Sequence, residues 1–167
     1  MNTQLDIIHV TRQNFVNLVD RLSADELNEI PGGFNNNIAW NFGHIIVSQQ
    51  NLCYLRAGIS PLIDQSFIKK YQKGTRPETF ISSDEIAVLK TYLFSLLEDL
   101  RNDVADNKFE NYQAFTTHFG VQLNSIEDAI SFVATHEALH LGYSMAIAKT
   151  FSIENQLSNF QNIKFSN

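Results

Sequence analysis

Cysteine occurs once in the 167 residues, at Cys53, so no disulfide can close within the chain. That scarcity fits a reducing compartment. Proline occurs three times, at Pro31, Pro61 and Pro77, each in a stretch that reads as a connection. No cluster of Lys and Arg stands out, and the net charge is −6. Both argue against nucleic acid or an anionic membrane as a partner. No apolar run reaches membrane-spanning length. The first residues, MNTQLDIIHVTRQ, lack the basic region and apolar core of a signal peptide, so a cytoplasmic protein is expected. Repeats, low-complexity tracts and domain boundaries are missing, and strand signals are weak throughout.

Apolar residues are plentiful. Hydrophobic side chains make up 44% of the chain, including 13 Phe, which calls for a packed globule, read here as one domain over residues 1–167. Thr3 to Leu22 has helical periodicity through Leu5, Ile8, Phe15, Val19 and Leu22, with Arg12 as the one charged interruption. His9 lies beside that stripe and is held as a reserve ligand. Ser23 to Glu29 reads as a short capped turn, and Pro31-Gly32-Gly33 then breaks the chain. Asn35, Asn36 or Asn37 can cap a second long helix, Asn37 to Ala57, closed by Gly58 and Pro61. Ser82 and Glu85 read as a capping box opening a third helix, whose stripe runs from Ile86 through Leu89, Leu93, Leu96 and Leu100. The connection Ile59 to Ile81 is either a lid or a simple crossover. Asn107 to Asn124 reads as loop, with His118 at the surface or over a site. Phe151 to Asn167 is a polar tail that packs on the bundle or on a partner chain. Four amphipathic helices with long connections predict an all-α four-helix bundle.

The chemistry gathers in Ser125 to Thr150, SIEDAISFVATHEALHLGYSMAIAKT. His136 and His140 are four residues apart, about one helical turn, so both imidazoles leave one face. Ser125 with Asp128 marks the helix start. At about 100° per residue, Ala129, Val133, His136, His140, Tyr143 and Ile147 share that face. Glu127, Ser131, Thr135, Ala138, Gly142 and Lys149 lie opposite. The histidines therefore sit on the apolar side, where each ring nitrogen needs a partner. An ion or a hydrogen-bonded polar pair would equally supply one.

His136-Glu137-Ala138-Leu139-His140 also fits the zinc-protease pattern HExxH. That reading needs a third ligand downstream, but LGYSMAIAKTF holds no histidine, and Glu154 would serve only if a new helix presented it. The competing reading takes His44, on the second helix, as third ligand and leaves a coordination position open. The face of His44 carries Trp40, Asn41, Ser48, Asn51 and Leu55. Those small polar groups are suited to orienting metal-bound imidazoles, or else form a solvated edge.

At these residues the chain resembles the DinB-like (DinB/YfiT) metalloenzyme superfamily. The resemblance rests on Ile38-Ala39-Trp40-Asn41-Phe42-Gly43-His44-Ile45, on His136-Glu137-Ala138-Leu139-His140-Leu141-Gly142, and on the turn Gly74-Thr75-Arg76-Pro77. It implies an up-down-down-up four-helix bundle. It also implies a divalent metal, nickel or zinc, on His44, His136 and His140, and a homodimer. Some similar proteins are S-transferases that use bacillithiol or mycothiol, and others isomerise or hydrolyse. Tyr143 stands where several relatives have Gln, so the substrate side of the pocket differs. Glu137 matches a Glu seen in similar sequences, yet it projects away from the direction of His136 and receives no role as a base.

The expected function is therefore metal-dependent activation of a thiol or water, with S-transfer from a low-molecular-weight thiol to a small electrophile. The alternatives are a non-catalytic metal or ligand carrier and a structural dimerisation bundle.

Overall fold

A computed structural model describes the backbone of residues 1–164 and the side chains of residues 1–151. Six helices account for most of it: α1 Asn2–Val19, α2 Ala24–Asn28, α3 Ile38–Gln49, α4 Gln65–Tyr71, α5 Ser83–Ala105 and α6 Ile126–Lys164. The long ones close a ring, in which α1 packs on α6 and α5, and α3 packs on α6 and α5. The all-α class expected from the periodicity is the observed one. Among the described residues no helix is long and apolar enough to cross a membrane.

Buried positions of α1 follow its stripe, with Leu5, Ile8, Phe15 and Val19 inside. Arg12 is buried with them, fully shielded from solvent. The stripe of α5 is buried from Ile86 to Leu100. Helix α3 differs: every residue from Ile38 to Val47 is buried, so it runs through the middle of the molecule. Asn37 caps it, its Oδ1 accepting from the Trp40 amide at 2.8 Å.

Several boundaries depart from the sequence reading. The second helix does not run regularly to Ala57. After Gln49 it widens into a π-helical turn, Gln50–Tyr54, then tightens into a 3₁₀ turn, Leu55–Ala57. Gly58, at φ 75°, ends it in the left-handed region that glycine tolerates. The Ser82 capping box is half formed. Ser82 Oγ accepts from the Glu85 amide, but the Glu85 carboxylate turns to Lys70 Nζ and the Tyr71 hydroxyl instead. Likewise Ser125 Oγ accepts from the Asp128 amide, while the Asp128 carboxylate accepts from the Asn124 amide. Ser23 and Glu26 make the full reciprocal box.

Both connections carry structure. Residues 59–81 contain α4, whose Tyr71 ring lies against Gly43; a Cβ at Gly43 would fall 2.4 Å from that ring. A glycine is thus what lets α4 lie so close to α3. Residues 107–124 contain a two-stranded antiparallel ribbon, β1 Phe115–Thr116 and β2 Gln122–Leu123, with His118 and Phe119 in its tip. Helix α6 continues well past Thr150, where the sequence reading stops it. Phe151 is buried; the rest of the expected tail packing, and Glu154, lie outside the described side chains.

Candidate metal centre

Helices α3 and α6 pack side by side, and their histidines meet. One nitrogen from each of His44, His136 and His140 lies within 4.8 Å of the others, so the three could hold a metal ion. The Nε2 atoms of His136 and His140 are 3.2 Å apart. The ring of His44 is 4.7 Å from that of His140 and 5.4 Å from that of His136, centre to centre.

Hydrogen bonds select the tautomers. His44 Nδ1 sits 2.6 Å from the Tyr71 carbonyl oxygen, which can only accept, so Nδ1 carries the proton and Nε2 the lone pair. The close approach of α4 that Gly43 permits supplies that carbonyl. His140 Nδ1 sits 2.7 Å from Asn41 Oδ1. The Asn41 amide is oriented by its own Nδ2, which donates to the Asn37 carbonyl at 2.7 Å. His140 therefore also presents a bare Nε2. This is the arrangement in which the outer nitrogen of a ligating histidine is tied to an oxygen. His136 is different, since its Nδ1 is buried with no partner.

Burial keeps the imidazoles neutral. It pushes His136 down to about 3, helped by His44 and His118 nearby. It pushes His140 down to about 3, helped by His136 and His44. His44 is lowered by the same burial, with the Tyr71 carbonyl pulling the other way. Neutral imidazole is the form that donates to a metal. The donor set therefore fits a divalent ion.

A pH dependence follows for metal-free protein. In the unfolded chain these two histidines take up protons near pH 6.5; in the folded chain they refuse them down to about 3. Below pH 6.5 the unfolded state therefore binds more protons, and stability falls as pH falls. Each site contributes a slope of up to about 1.4 kcal/mol per pH unit across that window. Urea titrations in chelator at pH 7.5 and 5.0 should show a lower midpoint at the lower pH, with a shallower drop for His140→Gln.

The remaining expected residues surround this cluster. Trp40 stacks on His44 with ring centres 4.5 Å apart and planes within 13°. Its Nε1 donates to Thr75 Oγ1, which ties the Gly74-Thr75-Arg76-Pro77 turn to the site. Ser48 Oγ lies 3.2 Å from His44 Nε2. Asn51 Oδ1 is buried without a partner. Tyr143 packs edge-on against Phe34, and its hydroxyl accepts from the Asn35 amide. These four and Asn41 line one cavity of about 750 Å³, with the three histidines on its wall. The mixed face of α3 is therefore a cavity wall and not an ordinary solvated edge. Of the reserve residues, His118 lines the cavity from the ribbon tip. His9 is exposed and sits against Phe94.

A family model of the DinB superfamily matches residues 7–144. The chain belongs to the DinB superfamily. No curated protein matches it. The matched span contains all three histidines and both ends of a second buried feature of this DinB protein, the Arg12–Glu137 pair.

That pair explains the charge in the α1 stripe. Arg12 Nη2 donates to Glu137 Oε1 at 2.6 Å and Arg12 Nε to Oε2 at 3.0 Å, with both side chains fully buried. Arg12 also donates to the Leu93 carbonyl and to Gln49 Oε1. Glu137 thus faces α1 and does not line the cavity. The HExxH spacing is present without its chemistry, because the glutamate carboxylate is taken up by Arg12 of α1 and does not reach the cavity. Arg56, Leu52, Phe115 and Phe132 also line the cavity and were not singled out by the sequence. The irregular turn after Gln49 is one reason, since a regular helical projection does not follow it.

Asn41→Leu should keep the fold and free the His140 ring to rotate. Metal affinity is expected to drop about 10–100-fold, the usual cost of losing such a support. Competition titration against a chromophoric chelator measures it.

Proposed function

We propose that this protein is a metal-dependent enzyme that activates a low-molecular-weight thiol, or water, for attack on a small electrophile. The observation that carries the reading is three neutral imidazoles, two of them with their tautomer fixed by a hydrogen bond, opening onto a cavity of substrate size. Imidazole donors suit nickel and zinc, the two ions proposed. Bound by neutral ligands, such an ion keeps its full charge and supplies Lewis acidity, lowering the pKa of a thiol or water beside it.

The chain's own residues do the rest. Tyr71 and Asn41 hold two rings by their Nδ1 protons, so the Nε2 lone pairs stay aimed inward. Trp40 clamps His44 from one side and connects it to the 74–77 turn. The aromatic wall limits water around the reacting atoms, which strengthens electrostatic effects there. In the S-transfer version the thiol loses its S–H proton to solvent. The sulfur then forms a C–S bond as the carbon–leaving-group bond breaks, and the leaving group departs with that bond's electron pair.

The test begins with elemental analysis of untagged protein. The expected result is nickel or zinc near one equivalent, with thiol consumption matched to product in a mass-balance assay against model electrophiles, lost on chelation. Metal without turnover for any thiol or ester tested would leave only a carrier. No metal at all would reduce the cluster to core histidines.

A further inference from the structure

The chain carries a net charge of −6, yet the cavity has the opposite sign. Among the described residues no Asp or Glu lines it, whereas Arg56 and Lys73 both do. Arg56 stands on the 3₁₀ turn that follows the π-helical turn. Its guanidinium carbon is 3.7 Å above the ring centre of Phe115, itself a wall residue. Stacking of this kind fixes the guanidinium plane and leaves its N–H edge free to donate. Among the described residues that edge meets no carboxylate and donates no hydrogen bond, unlike Arg12, which is bound to Glu137. A half-buried, pre-oriented guanidinium on the cavity wall is available to an anionic partner.

We propose that Arg56 binds the carboxylate of an organic substrate whose apolar body lies against Phe115, Phe132 and Leu139. The cationic lining disfavours cationic molecules inside the cavity, whatever the sign of the exterior. Arg56 follows His44 by twelve residues, roughly 18 Å of helical rise at about 1.5 Å per residue, and both line the same cavity. The inference deepens the reading above: it rests on that reading for the word substrate, and on the cavity alone for binding.

The test compares 4-phenylbutyrate with 4-phenylbutanamide, which differ only in charge. Affinities are measured by calorimetry on the full chain, untreated and in excess chelator. The carboxylate should bind at least about tenfold more tightly than the amide in both conditions. Arg56→Gln should erase that preference and leave amide affinity unchanged, which shows the cavity intact; Arg56→Lys should retain part of it. Equal affinities, no binding of either compound, or a preference that survives Arg56→Gln would overturn the proposal. So would a preference that disappears with chelator, since the anion would then sit at the histidines. Measurement in chelator needs neither metal nor turnover, so this result stands or falls apart from the enzymatic reading.

Discussion

His136→Ala or His140→Ala is expected to abolish stoichiometric metal binding while leaving the protein folded. Both rings line the cavity wall, so removing one deepens a space already open and does not create a void in the core. The loss in affinity should exceed the roughly 10–100-fold expected for a supporting hydrogen bond, because a coordinating atom itself disappears. Elemental analysis of wild type beside His44→Ala, His136→Ala and His140→Ala checks it, with circular dichroism as the folding control. Equal metal content in all four would place any ion elsewhere. The His136 ring is the informative case. Its Nδ1 has no partner, so its orientation depends on packing against Phe132 and on its neighbours' nitrogens.

The second large effect lies outside the cavity. Arg12→Ala should destabilise the protein by about 3–5 kcal/mol, since it strands the Glu137 carboxylate in a fully buried position. Burial already pushes that carboxyl up, and only Arg12 pulls it back. The Leu93 carbonyl and Gln49 amide lose a partner as well. Glu137→Ala should cost a similar amount, while the pair Arg12→Met with Glu137→Leu should recover much of it. Chemical denaturation of the single and double variants measures the coupling. The comparison also separates the two meanings of the HEALH run. If Glu137 were a catalytic base, Glu137→Gln would silence activity with little loss of stability. The buried pair instead demands the reverse, a loss of stability with the metal site intact.

Much of the site was legible before any coordinates. The i, i+4 step of His136 and His140, and the apolar company they keep, were enough to place both on one buried face. On the opposite face Glu127, Ser131, Thr135, Ala138, Gly142 and Lys149 are all exposed, as a regular helix requires. Helical periodicity likewise exposed the stripes of α1 and α5. What could not be read was anything that depends on backbone brought in from elsewhere. The Tyr71 carbonyl carries no side-chain signal. The wider turn after Gln49 has no sequence pattern that distinguishes it from ordinary helix, so Arg56 escaped notice. The Ser82–Glu85 spacing suggested a reciprocal cap, but a carboxylate chooses its strongest partner, and Lys70 with Tyr71 outbid the backbone amide. Arg12 gave the opposite lesson. A lone charge inside an apolar stripe was a signal that another charge must be buried against it, and Glu137 was available on the helix that carries the histidines.

The centre and its enclosure come from different kinds of chain. The histidines stand on α3 and α6, both held rigidly in the ring of long helices. Part of the enclosure comes from residues 35–36, the 73–75 turn and the 115–119 ribbon, three separate excursions between helices. Surface excursions tolerate insertion and substitution far better than the elements they join. One and the same histidine floor can therefore be refitted for different molecules by exchanging short loops, with no repacking of the helices beneath.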